Sequence, residues 1–264
     1  MALHQVTNSE VRHWTKGCLA IRLLKDGLTS YVKSEIEHQY AVVVKTIKTR
    51  SKISAFSCSS CNIQNLLPYH ACSERETQSC FQKPSNMCNC AKKHGKRKCP
   101  QGGACSLMYD YTIKEHFHSS PTFQNSDLRK WSTNNWEYAK CFISGSGKFG
   151  VTDVFDTDSA GLLSICLNNH SIRSQFEVSI LEQAIQVRND IFHSGSHQLQ
   201  NDVVQGYIDM FLAVLRQPPL LCNHEAKDAV MKLASMREPR FCDCFEGHRA
   251  YAQRNFDNSR CRNK

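Results

Sequence analysis

After Asn8 and Ser9, apolar residues recur at Val11, Trp14, Cys18, Ile21, Leu24, Leu28, Val32 and Ile36. This three-and-four spacing lines one face of a long α-helix that must pack on other helices. Asn8 or Ser9 supplies its N-cap, and Gly27 marks a place where it can bend. Residues 51 to about 107 break the pattern, with few apolar positions, several Ser, Pro and Gly, and eight cysteines. Such a stretch reads as an insertion rather than a core segment. Helical spacing returns after Trp131 with Trp136, Ala139, Phe142 and Ile143, and stops in GSGKFG from Gly145 to Gly150. Asp156 and Asp158 offer N-caps for a helix carrying Leu162, Leu163 and Cys166, and Ser171 or Ser174 precedes one that buries Leu181, Ala184, Ile185 and Phe192. That helix ends at His193, with Gly195 suited to the position past its C-cap. A further helix runs from about Asn201 through Val204, Ile208, Phe211 and Leu215 until Pro218 and Pro219 stop it.

The pattern predicts an all-α bundle with a cysteine-rich, basic, loop-rich insertion. Four segments follow: 1–50 as the N-terminal helical part, 51–107 as the insertion, 108–220 as the helical core, and 221–264 as a C-terminal helix with a Cys-x-Cys tail. At 264 residues and 41% hydrophobic content, the chain can bury a real core. The start MALHQVTNSEVRHW has no basic region followed by an apolar one, and no window approaches eighteen apolar residues. Neither a secretory leader nor a membrane span is expected, which predicts a cytoplasmic or nuclear protein with reduced cysteines.

Net charge is +9, distributed unevenly. Residues 1–50 hold eight Lys/Arg against four Asp/Glu, residues 51–110 eight against three, and residues 111–264 seventeen of each. Within the insertion, Lys92, Lys93, Lys96, Arg97 and Lys98 form one run, which can follow a nucleic-acid backbone, act as a nuclear-import signal, or stand as a solvated loop. GSGKFG lacks the spacing of a phosphate-binding loop, because Lys148 is followed by Phe149 rather than Ser or Thr. It reads as a surface turn.

The chemistry concentrates in QVRNDIFHSG, from Gln186 to Gly195. On a helix, Asn189 and His193 share a face, while Arg188 and His193 diverge by about 140°. Arginine's length, a distorted last turn or a second copy of the chain can close that gap. Metal-free RNA cleavage needs a proton-transfer group with a pKa near 7 and a fixed cation at the phosphate; His193 and Arg188 are those types. The plainer reading is structural: Arg188 pairs with Glu182 or Asp190, and His193 caps a helix C-terminus. Asp190 can orient the histidine or simply pair with it.

An arginine, a polar residue and a histidine four to six positions beyond the arginine, near a helix end in an all-α array, resemble the signature of the HEPN superfamily. That resemblance implies an RNA partner, a homodimer through the helix carrying His193, and metal-independent endoribonuclease chemistry by Arg188, Asn189 and His193 without a catalytic cofactor. It also admits the superfamily's non-catalytic adaptors. More closely, the chain resembles a vertebrate family named for open reading frame thirty-eight of the X chromosome. The matching pieces are Trp14 with Lys16 and Gly17, Arg129 to Ile143, Asp158 to Asn169, Val187 to Ser194, and Phe241 to Gly247.

The cysteines suggest metal. Cys58-x2-Cys61 is a zinc half-site, and Cys88, Cys90, Cys99 and Cys105 can supply the rest, with His70 and His94 as spare imidazoles. In the resembling family, Cys99 and Cys105 stand where a close cysteine pair is expected, followed by His116 and His118. A segment this poor in apolar residues needs a structural zinc ion to order it, or else remains a reduced loop. Cys18, Cys141 and Cys166 lie on apolar faces and read as core thiols.

Overall fold

A computed structural model describes residues 9–66 and 99–237. The expectations for Cys88, Cys90, Lys92, Lys93, Lys96, Arg97, Lys98, His70, His94 and the Phe241–Gly247 piece lie outside them. Among the described residues the fold is all-α, and β-structure is limited to one isolated bridge between His116 and Asn169. The chain divides into two compact units, Met1–Ser30 with Phe176–Lys264, and Tyr31–Gln175. Helix α1, Ser9–Ser51, contributes to both.

In the first unit, the start of α1 is joined by α7 (Val178–His193), α8 (Asn201–Leu215) and α9 (His224–Met236). Helix α8 packs against both α7 and α9, burying Val204, Ile208, Phe211, Leu212 and Leu215 along its stripe. Pro218 and Pro219 end it in a 3-10 turn, and the Asn223 side chain caps α9 by accepting from the Ala226 amide at 2.8 Å. Helix α1 continues through Gly27. A Cβ there would lie 2.8 Å from Leu215 and 3.0 Å from Ala229, so the glycine permits close helix approach.

Helix α7 starts later than the serines suggest. Glu177 is its N-cap residue, and the Glu177 amide donates to Gln217 Oε1 at 2.6 Å. Ser171 instead belongs to short α6 (His170–Arg173), capped by Asn169, and Ser174 follows it. Leu181, Ala184 and Ile191 form the buried face of α7, whereas Ile185 is half-buried and Phe192 is exposed. Phe192 lies one residue, about 100°, past Ile191 and so falls outside the stripe.

The second unit contains the rest of α1 with short α2 (Ile63–Leu66), α3 (Ala104–Glu115), α4 (Asn135–Ala139), α5 (Ser159–Asn168) and α6. Tyr109 stacks on Phe123 with centroids 4.8 Å apart, and fully buried Trp131 donates its indole N–H to Ser126 Oγ at 2.8 Å. Asp158 caps α5 by accepting from Gly161 at 2.9 Å, while Asp156 sits in the preceding 3-10 turn and accepts from Thr152. The GSGKFG stretch is a turn with Gly145 and Gly147 at φ of 76° and 98°. Its Lys148 amide donates to Asn125 Oδ1.

A buried ion pair ties this unit together. Lys140, fully buried, meets Glu137 at 2.9 Å and also donates to the Phe149 carbonyl at 2.9 Å. Glu137 Oε2 accepts from the Asp127 amide at 2.7 Å. Each buried charge is thereby partnered, the condition under which such pairs are tolerated.

Candidate functional site

Four of the six predicted metal cysteines come together. The sulfurs of Cys58, Cys61, Cys99 and Cys105 all lie within 4.8 Å of one another. Cys58 and Cys61 sulfurs are 3.6 Å apart, close to the roughly 3.8 Å edge of a tetrahedron whose corners stand about 2.3 Å from a central ion. A disulfide would bring them to about 2.0 Å, and all four are free thiols. Cys58, Cys61 and Cys105 are buried and Cys99 is half-buried.

Local structure explains the convergence. Cys58 and Cys61 occupy the loop between α1 and α2, spaced so that two successive side chains can turn to one point. Gly102 follows Cys99 at φ 54°, and a Cβ there would lie 2.8 Å from the Ser51 carbonyl oxygen. Only glycine meets both demands. The turn places Cys105 in the first turn of α3, where amide dipoles favour a thiolate, and the Cys105 amide donates to Cys99 Sγ at 3.4 Å. Gln101 joins the two loops: its Oε1 accepts from the Ser57 amide at 2.9 Å, and its Nε2 donates to Ser57 Oγ at 2.7 Å. Spacing alone did not single out this glutamine.

Burial pushes the Cys58 thiol up, but hydrogen bonds from the Ser60 backbone and hydroxyl, Cys61 and Cys105 outweigh it and bring it down to about 7. Burial, followed by the neighbouring Cys99, Cys61 and Cys58, pushes Cys105 up. Four crowded thiols cannot all ionise without a cation among them, and they are placed to hold one metal ion. By contrast, burial pushes Cys141 and Cys166 up to about 12, as befits core thiols. His116 does not join the cluster; its Nδ1 accepts from the backbone amides of His118 and Ser120.

The second candidate is the C-terminal end of α7. Arg188 Nη1 donates to Asn189 Oδ1 at 3.1 Å, and the guanidinium lies over the Phe192 ring at 4.6 Å. Exposed Phe192 thus carries the arginine instead of filling the core. His193, the last helical residue, is exposed, and its imidazole makes no hydrogen bond among the described residues. Asp190 accepts from Gln186 at 2.6 Å, so it is engaged along its own helix. The structure therefore couples Arg188 to Asn189, with His193 four residues past Asn189 at the same helix end.

This end is anchored from α1. Trp14 donates its indole N–H to the Ile191 carbonyl at 2.9 Å, and its ring meets His197 edge-on at 4.7 Å. The Leu199 amide donates to the Glu10 carbonyl at 3.1 Å. The tryptophan satisfies a carbonyl that the ending helix leaves open.

The chain belongs to the DUF4559 family, a domain of unknown function, which matches residues 68–238. Cys99, Cys105 and the whole of α7 fall within the match, while Cys58 and Cys61 precede it. No curated protein and no solved structure matches the chain. Among the described residues, no helix is long and apolar enough to cross a membrane.

Proposed function

We propose that this is a zinc-organised, HEPN-like RNA-binding protein whose α7 end meets the phosphate backbone and cleaves it without a catalytic metal. The observation that carries the reading is the exposed His193 on the same helix end as Arg188, whose guanidinium is oriented by Asn189 and the Phe192 face. An imidazole at the same helix end as a held cation is the pairing of groups that phosphodiester cleavage requires. His193 would take the proton from the ribose 2′-hydroxyl as its oxygen attacks phosphorus, and the 5′-oxygen would leave with a proton from water as a 5′-hydroxyl. Two chains pairing along α7 would bring a second such set to the same backbone.

Zinc is the metal we assign to the cysteine cluster. Four thiolates suit it, and a site closed by four protein ligands leaves no position for substrate, which makes its role structural.

The test is single-turnover cleavage of labelled RNA in excess chelator. Cleavage should leave 2′,3′-cyclic phosphate and 5′-hydroxyl ends and spare DNA, which lacks the attacking hydroxyl. His193→Ala should slow it by about two to four orders of magnitude while RNA affinity persists. Arg188→Ala should impair both. Wild-type rates in His193→Ala would refute the assignment. Binding without cleavage by any form would establish a non-catalytic module, a reading favoured by the way Arg188 is engaged within its own helix.

A further inference from the structure

In the second unit, residues 61–63, 120–124, 126–129 and Phe149 line an open cavity of about 600 Å³, within the usual range for small-ligand sites. Its walls are braced from beneath by the buried ion pair. Glu137 accepts from the Asp127 amide on one wall at 2.7 Å, and Lys140 donates to the Phe149 carbonyl on the other at 2.9 Å. A buried ion pair adds little net stability over apolar residues of similar size. Its two outward bonds instead hold the walls at a set separation.

The surface of the cavity is chemically mixed. Phe149 is 52% exposed, and Asn62 and Gln124 stand with it in the lining. In the lining, Arg129 bonds Asp127 through Nε at 2.9 Å and Nη2 at 3.0 Å, and Lys130, outside the lining, lies 4.0 Å from the same carboxylate. The lining pair is neutral, and the net positive charge of the three comes from Lys130 beside it. Lys98, the end of the basic run, is bonded directly to Cys99 of the metal cluster.

An aromatic residue, neutral amide residues and the adjoining Arg129 and Lys130 match a nucleotide, which has a flat base, a hydrogen-bonding edge and a phosphate. We infer that this cavity takes an unstacked base of single-stranded RNA, with the base on Phe149, its edge on Asn62 and Gln124, and its phosphate toward Arg129 and Lys130. The inference deepens the RNA-binding reading and rests on it for the identity of the polymer. Because Cys61 lies in one wall, the metal centre shapes the binding site directly.

The intact protein is titrated with adenosine and uridine 5′-monophosphates by calorimetry, and with a short single-stranded RNA by fluorescence anisotropy. Phe149→Ala should weaken both by about tenfold, the scale of one lost base–aromatic stack. Phe149→Trp should restore them, which separates stacking from a structural effect. Gln124→Ala should alter preference between the two bases, while Arg188→Ala should weaken only the RNA. RNA binding that is unchanged in Phe149→Ala but reduced in Arg188→Ala would overturn the cavity and leave the RNA reading standing. Mononucleotide binding sensitive to Phe149, without RNA binding, would support the cavity as a nucleotide site and overturn the polymer reading. Binding of neither would overturn both.

Discussion

Replacing Lys140 by methionine keeps most of the side-chain volume and removes only the ammonium. In the native unit that ammonium contacts both Glu137 oxygens, at 3.0 and 2.9 Å, and the Phe149 carbonyl at 2.9 Å, with the Lys140 and Glu137 side chains 0% and 3% exposed. Lys140→Met therefore strands a buried carboxylate whose remaining donor among the described residues is the Asp127 amide. Breaking a buried pair from one side costs about 3–5 kcal/mol, a large part of the roughly 5–15 kcal/mol that holds a domain folded. With a urea slope of about 1–3 kcal/mol per molar, the midpoint should fall by roughly 2 M. The assay is urea unfolding followed by tryptophan emission, since buried Trp131 and Trp136 lie in the same unit. Adding Glu137→Gln should recover much of the loss, because a neutral amide oxygen still accepts from Asp127 without an unpaired charge. A single-variant loss below about 1 kcal/mol, or a double variant no better than the single, would refute the argument that the charge pair braces this unit.

Protein purified under reduction should carry one zinc per chain by elemental analysis. Cys58→Ser or Cys105→Ser should lose it and Cys222→Ser, an exposed thiol outside the cluster, should keep it; an unchanged metal content in Cys58→Ser would rule the cluster out. His116 makes stability acid-sensitive: burial, then neighbouring His118, lowers it from 6.5 to about 4. The unfolded chain therefore takes up the proton first, so this contribution is complete above pH 6.5 and is lost as pH falls towards 4, on the order of 3 kcal/mol. Urea midpoints at pH 7 and 4.5 should separate less in His116→Gln than in wild type, and equal separations would refute this assignment.

Much of the helical plan was legible because each helix carries its own periodic signal. The stripes of α1 and α8, the Asp158 cap and the double-proline stop are local patterns, and they stand where the pattern puts them. At Gly27 the sequence offered only a place to bend, because the close neighbours that require a glycine are far off along the chain. Leu215 and Ala229, about two hundred residues away, make it a point of close helix approach. Ser171 and Ser174 were plausible caps for α7, but a separate short helix uses Ser171 and the start of α7 answers to Gln217.

The candidate sites divide the same way. By itself the sequence determined the chemical types: a Cys-x2-Cys half-site among further cysteines, and an arginine, an amide and an imidazole at a helix end. Tertiary structure alone decided that Cys99 and Cys105 join Cys58 and Cys61, since four sulfurs within 4.8 Å require two loops to be clamped together. It also placed Phe192 outside the core beneath Arg188 and engaged Asp190 with Gln186 rather than His193. Periodicity reports which residues share a face along one helix, whereas burial and partnership depend on what packs against that face from distant parts of the chain.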